Sequence, residues 1–151
     1  MSSIPLKTQI AESVKQAMKA GEKRRVAALR LVMAEIKRVE VDERIELDDA
    51  RVITLLDRML KQRRDSLDHF ERAARDDLAE QERFEIATIQ AFLPTPLTQQ
   101  EIAALIDEAL GQLTVSGPQA MGAVMAWLKP RVQGRAEMAS VSAAVKARLS
   151  G

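Results

Sequence analysis

The only histidine of the chain, His69, is the natural first place to look for chemistry. Asp65 stands four residues before it, one helical turn away, where a carboxylate can orient an imidazole. A Ser-His-Asp relay or a zinc site needs more, namely a nucleophile or two further ligands converging on the ring. Ser66 is next to Asp65 in sequence, so on a helix it points elsewhere. The spacing therefore predicts an exposed helical histidine paired with Asp65, and no catalytic residue. The remaining carboxylates sit among bases at helical spacing: Glu35 with Arg38, Asp57 with Lys61, Glu71 with Arg75. That is the pattern of solvated helix faces, worth about 0.2–0.5 kcal/mol per pair. No GxxxxGK[ST], GxGxxG, HExxH or GxSxG pattern occurs, which disfavours an enzyme with its own active site. Absence of Cys removes disulfides, thiolate metal sites and a Cys nucleophile. No metal and no cofactor are expected.

A different chemistry is written near the carboxyl end. Every Lys and Arg beyond Pro94 lies there: Lys129, Arg131, Arg135, Lys146 and Arg148, five bases against one acid, Glu137. From Pro96 to Leu128 there are three acids and no base, so this part of the chain is polarised in charge. Gly134 precedes Arg135, where backbone can come close to a ligand. The next helix start offers free N–H groups to a phosphate oxygen. Lys129, Arg131, Gly134, Arg135, Lys146 and Arg148 are thus the candidate RNA-contacting residues, reading a backbone by shape and charge. The same five bases also fit the solvated face of a small domain, and residues alone leave both readings open. No aromatic stacking platform is evident, since Trp127 lies beside an apolar stripe. The clusters Lys23-Arg24-Arg25 and Lys61-Gln62-Arg63-Arg64 are balanced by nearby acids. With a net charge of +1, the molecule as a whole is no general polyanion binder.

The elements that must position these residues are helices. Ala, Leu, Glu, Lys, Arg and Gln dominate, and alternating β-branched runs are missing. Pro5 suits a first helical position; Leu6, Ile10, Val14 and Met18 form a stripe that Gly21 ends. A second helix is predicted from Glu22 to about Val41, with Val26, Leu29, Met33 and Ile36 on one side. Leu31 and Val32 widen that face, as in a central helix. Asp42 to Glu46 reads as a polar connection. Asp48 or Asp49 caps a long third helix carrying Val52, Leu56, Met59, Leu60, Leu67 and Phe70, with Arg63 at a stripe position, partly exposed or snorkelling. Arg75-Asp76-Asp77 offers a cap for a fourth helix with Leu78, Ile86, Ile89, Phe92 and Leu93.

Pro94-Thr95-Pro96 forces an extended joint, because residues before Pro avoid the helical region. Residues 1–94 hold 18 basic and 18 acidic side chains, whereas 95–151 hold 5 and 4 and are rich in Ala and Gly. Two domains are expected, 1–94 with four helices and 95–151 with three. Thr98-Gln99-Gln100-Glu101 is a capping box opening helix five, with Ile102, Leu105, Ile106, Ala109 and Leu110. Ser116-Gly117-Pro118-Gln119 is a second such pattern, opening helix six. Met121, Val124, Met125 and Leu128 make its stripe, and Pro130 forbids a simple continuation. Val141, Val145 and Leu149 mark helix seven. No apolar run reaches membrane-spanning length and no signal-peptide block is present, so a cytoplasmic protein without membrane contact is expected.

The chain resembles the YqeY family, the free-standing members of the GatB/YqeY group, nearly end to end. The carriers are Ala17–Lys37, Leu47–Thr98 and the segment MGAVMAWLKPRVQGRAEMASVSAAVKARL. Most specific are Lys61-Gln62-Arg63 followed by Ser66 and Phe70, and the closure Leu93-Pro94. Glu137-Met138 stand where the family reads Asp-Gly. The resemblance implies an all-helical, two-domain protein whose second part is similar to the tail domain of the B subunit of the tRNA-dependent amidotransferase. It implies tRNA as a partner and a family-level association with carbon–nitrogen ligases using glutamine as amido-N-donor. Nothing in the chain resembles the nucleotide- and metal-binding cradle of that subunit or the serine–lysine amidase of its partner. The expected function is therefore a tRNA- or RNA-binding accessory module. The alternative is a protein-interaction module built on the stripe of the third helix.

Overall fold

The computed structural model describes residues 4–150. Seven α-helices make up their regular structure, with no strand among the described residues: α1 Leu6–Ala20, α2 Lys23–Glu43, α3 Asp49–Arg72, α4 Asp76–Gln90, α5 Gln99–Leu113, α6 Met121–Val132 and α7 Met138–Ser150. A short 3-10 turn, Pro118–Ala120, precedes α6. The chain forms two compact units, Met1–Leu93 and Pro94–Gly151.

In the first unit, α1 packs chiefly on α2, and α3 on α4. Leu6 and Ile10 of α1, Leu29, Val32 and Ile36 of α2, and Val52, Leu56 and Leu60 of α3 are buried in one apolar cluster with Ile89 of α4. Each such side chain contributes about 1.5–3 kcal/mol relative to exposure. The ends are set locally. Gly21 at φ 73 closes α1, its N–H bonding to Met18 O and that of Glu22 to Ala17 O. Asp48 caps α3 by accepting from Arg51 N–H at 2.9 Å. At the start of α4 no side chain caps; Arg75 instead pairs with Asp77.

Two expectations shift here. The polar connection predicted from Asp42 begins only at Arg44, which takes the left-handed conformation at φ 56. Arg38–Asp42 and Arg51–Glu43 ion pairs engage the two extra residues of α2. The wide apolar arc of α2 is also not all core, because Leu31 is 49% exposed while Leu29 and Val32 are buried.

In the second unit, Ile106 and Ala109 of α5 pack with Val124, Leu128 and Val132 of α6 and Val141, Val145 and Leu149 of α7. The Thr98 capping box forms in full, with Thr98 Oγ1 accepting from Glu101 N–H and Glu101 Oε1 from Thr98 N–H. The pattern at Ser116 behaves otherwise. Gly117 adopts φ 85, Ala120 N–H bonds to Gly117 O, and no side chain caps the turn. Pro130 lies inside α6, which runs two residues further to Val132. Pro130 has no N–H to give to Ala126 O and its ring crowds that carbonyl, yet the ladder resumes behind it, where Lys129 O accepts from Gln133 N–H at 3.0 Å. No helix among the described residues is long and apolar enough to cross a membrane.

Candidate functional site

The buried ridge Val124-Leu128-Val132 fixes where the bases of α6 can point. Lys129 and Arg131, two residues apart, stand about 200° apart around the helix, one on each flank of that ridge. Val141, Val145 and Leu149 impose the same split on Lys146 and Arg148 of α7. The five bases therefore share a segment but not a single helix face.

Their engagements differ. The Arg131 guanidinium lies over the Trp127 ring, 3.6 Å from its centroid, and donates to Trp127 O. Trp127 in turn donates through Nε1 to Gln112 Oε1 at 3.3 Å. Arg148 forms an ion pair with Asp107 of α5. Arg135 is half-buried and tied at two points: its Nε donates to Thr95 O at 3.0 Å, and its carbonyl accepts from Leu97 N–H at 2.7 Å. No hydrogen bond to its two Nη atoms forms among the described residues. Lys129 and Lys146 are exposed and form no ion pair among the described residues.

Gly134 is buried, at φ 76. The turn between α6 and α7 uses its left-handed freedom. Glu137 precedes α7, and its carbonyl accepts from Val141 N–H. An acid at that helix start competes with any phosphate for the same partial positive charge. Nearby, the Thr98 backbone N–H, followed by its hydroxyl, holds the Glu101 carboxyl below the usual range, and the charge of Arg135 adds to this.

His69 is exposed, with its ring edge-on to Phe70 at 5.9 Å between centroids. The expected pairing with Asp65 does not form among the described residues. No cluster of three or more His, Cys, Asp or Glu fit to hold a metal occurs among the described residues.

A second charged site, unforeseen in the sequence, lies in the first unit. Glu82 and Glu85 of α4 are both buried. Arg63 Nη1 lies 3.4 Å from Glu82 Oε1 and 3.1 Å from Glu85 Oε2. The Oε2 atoms of both glutamates accept no hydrogen bond. Burial pushes the Glu82 carboxyl up; Arg63 opposes this and Glu85 adds to it. Gln81 Nε2 donates to Glu85 Oε1, and Arg24 of α2 donates to Gln81 and pairs with Glu80. A signal was available: an Arg in an apolar stripe needs a carboxylate opposite, and Ala79, Glu82 and Ile89 share one face of α4 with Glu85. Two buried carboxylates around one guanidinium can hold a proton.

Residues 7–149 match the family described as "Yqey-like protein". The mitochondrial protein "Altered inheritance of mitochondria protein 41" of Eremothecium gossypii is 33% identical over 105 residues, 68% of this chain and 57% of that protein. Its namesakes in Pyrenophora tritici-repentis and Lachancea thermotolerans are 28% identical over 126 residues and 32% over 110. These alignments cover 82% and 71% of this chain, and 68% and 59% of the relatives. In two of the three, the chain spans less than two thirds of the relative's length. These names overturn the expectation of a cytoplasmic protein, since the relatives are named as mitochondrial. The physical reason is plain. Lack of cysteine speaks only against a disulfide-built scaffold, and the amino-terminal composition only against secretion; neither separates cytosol from mitochondrion.

Proposed function

The chain belongs to the YqeY-like protein family, and from that premise we propose that it is a non-catalytic accessory module that binds RNA, with tRNA as its ligand. Residues 95–151 act as a domain similar to the amidotransferase B-subunit tail domain, and residues 1–94 as a separate helical domain. The observation that carries the reading is the open positive charge of the second unit. Lys129 and Lys146 are exposed without an ion pair among the described residues, and the Nη edge of Arg135 is unspent while its Nε is anchored to Thr95 O at 3.0 Å. An anchored guanidinium with a free edge meets a phosphate with little ordering cost. The ligase label attached to the family describes chemistry done elsewhere, which this chain would support by holding substrate RNA.

The experiment is tRNA binding on filters at two salt concentrations. Each phosphate-contacting base contributes about one unit of salt slope. Lys129→Ala and Lys146→Ala should each lower affinity and flatten the slope by about that amount. If the double variant together with Arg135→Ala binds as the parent does, the RNA reading is wrong. Glutamine-dependent amidation of misacylated tRNA by the purified chain alone would overturn the non-catalytic part.

A further inference from the structure

The first half of the α3 stripe is spent internally: Val52, Leu56, Met59 and Leu60 are buried and Arg63 is bound to Glu82 and Glu85, while Leu67 and Phe70 are half-buried. The unspent face is on α2. Met18, Leu31 and Val41 are among the large apolar side chains left exposed, at 54%, 49% and 63%. Leu31 and Val41 lie on the side of α2 away from its buried residues Leu29, Val32 and Ile36, and Met18 stands at one end of that side. Two seven-residue series run along this side. Ala27, Ala34 and Val41 are one; Lys23, Arg30 and Lys37 are the other. All six fall within about 80° of the helix circumference, with Leu31 at the edge. A groove of about 360 Å³ opens where Met18, Lys23, Ala27 and Arg30 meet.

The charge of this face is unanswered from within. Lys23 and Lys37 form no ion pair among the described residues, and Arg30 donates only to Met18 Sδ at 3.6 Å. The acids nearby are committed elsewhere: Glu22 to Arg25, Glu35 to Arg38 and Arg58, Glu40 to Lys7, Asp42 to Arg38. Lys37 adds only a more distant charge to Glu40.

We propose that the outer face of α2 is a docking surface for an acidic amphipathic helix of a partner protein. The seven-residue repeat is the period at which two helices keep one seam in contact. Ala27 and Ala34 allow close approach, Leu31 and Val41 supply apolar contact, and the row Lys23, Arg30, Lys37 calls for carboxylates on the partner. A second copy of this chain would set the same three bases against one another, which is repulsive. A nucleic acid would leave Leu31 and Val41 without a contact. A bilayer would gain little from a seam of alanines where interfacial helices carry Trp, Phe and Leu. The proposal does not rest on the RNA reading, which concerns other residues.

The probe is a designed helical peptide of about 20 residues, long enough for this face, with Leu in the seam and Glu beside it, and a twin with Lys for Glu. Fluorescence anisotropy with the full chain should show saturable binding of the Glu peptide only. Lys23→Glu with Lys37→Glu should weaken it about tenfold or more. Ala34→Glu, at an exposed site, should abolish it with an unchanged circular dichroism spectrum. Equal binding of both peptides, or of neither, overturns the proposal. So does a Lys23→Glu/Lys37→Glu variant that keeps the peptide but loses tRNA or vesicles of phosphatidylcholine with phosphatidylserine. Unchanged tRNA binding in these variants separates the two readings.

Discussion

The α3–α4 seam and the α6–α7 end treat charge in opposite ways. In the seam, Glu82 and Glu85 are withdrawn from water and the half-buried Arg63 answers both, with one carboxylate in excess. At the carboxyl end, Lys129 and Lys146 remain in solvent, and among the described residues Arg148 alone of the five bases forms an ion pair. Withdrawn charge is bound to the fold and costly to disturb. Solvated charge contributes little to stability and stays available for an outside anion. The most specific sequence motif, Lys61-Gln62-Arg63, thus marks a structural lock in the first unit, while the less regular bases of the second carry the binding proposal.

The largest effect that tests this contrast is expected from Arg63→Ala. It leaves two buried carboxylates uncompensated and should cost about 3 kcal/mol in urea unfolding. A loss under about 1 kcal/mol would mean that the seam is wetter than its burial indicates, and the contrast would fail.

A smaller gain is expected from Glu82→Gln. The folded-state pKa of Glu82 is raised, so its contribution to stability is full at low pH and is lost as pH rises through that value. Removing the excess charge should stabilise the protein by about 1 kcal/mol at pH 7, with the advantage fading on acidification as the parent takes up its proton. A gain that grows at lower pH would reverse the sign and remove desolvation as the cause.

The smallest stability effect is expected from Asp107→Asn, which frees Arg148. Unfolding should move by no more than about 0.5 kcal/mol. The tRNA salt slope should steepen by up to about one unit. A large destabilisation would place this ion pair with the seam instead.

Much of the fold was legible along the chain because its causes are local. Gly21, Asp48 and the Thr98–Glu101 box each close or open a helix through atoms within a few residues of themselves. The apolar stripe of α7 is buried where its period places it, as are Leu6 and Ile10 of α1, Val52, Leu56, Met59 and Leu60 of α3, and Ile106 and Ala109 of α5, whereas Met18 at the end of the α1 stripe stays exposed. Errors came where a local rule met a local exception. Pro130 withholds the N–H that Ala126 O would accept, yet α6 runs two residues past it, and Gly117 opens the way to α6 without help from a side chain. At the carboxyl end the run of bases was visible, but a run is not a face. A buried ridge splits Lys129 from Arg131 and Lys146 from Arg148, and Gly134 faces inward.

By itself the sequence determined that the regular structure is helical, where most helices begin and end, and that surplus positive charge gathers near the carboxyl end. Only the tertiary structure decided which charges are spent. Arg63 with Glu82, Arg24 with Glu80 and Arg148 with Asp107 join side chains 19, 56 and 41 residues apart. It also decided that Leu31 and Val41 stay outside while Leu29 goes in. Helix periodicity and capping act over one or two turns, whereas ion pairing and burial depend on which helices meet, and no local pattern encodes that meeting.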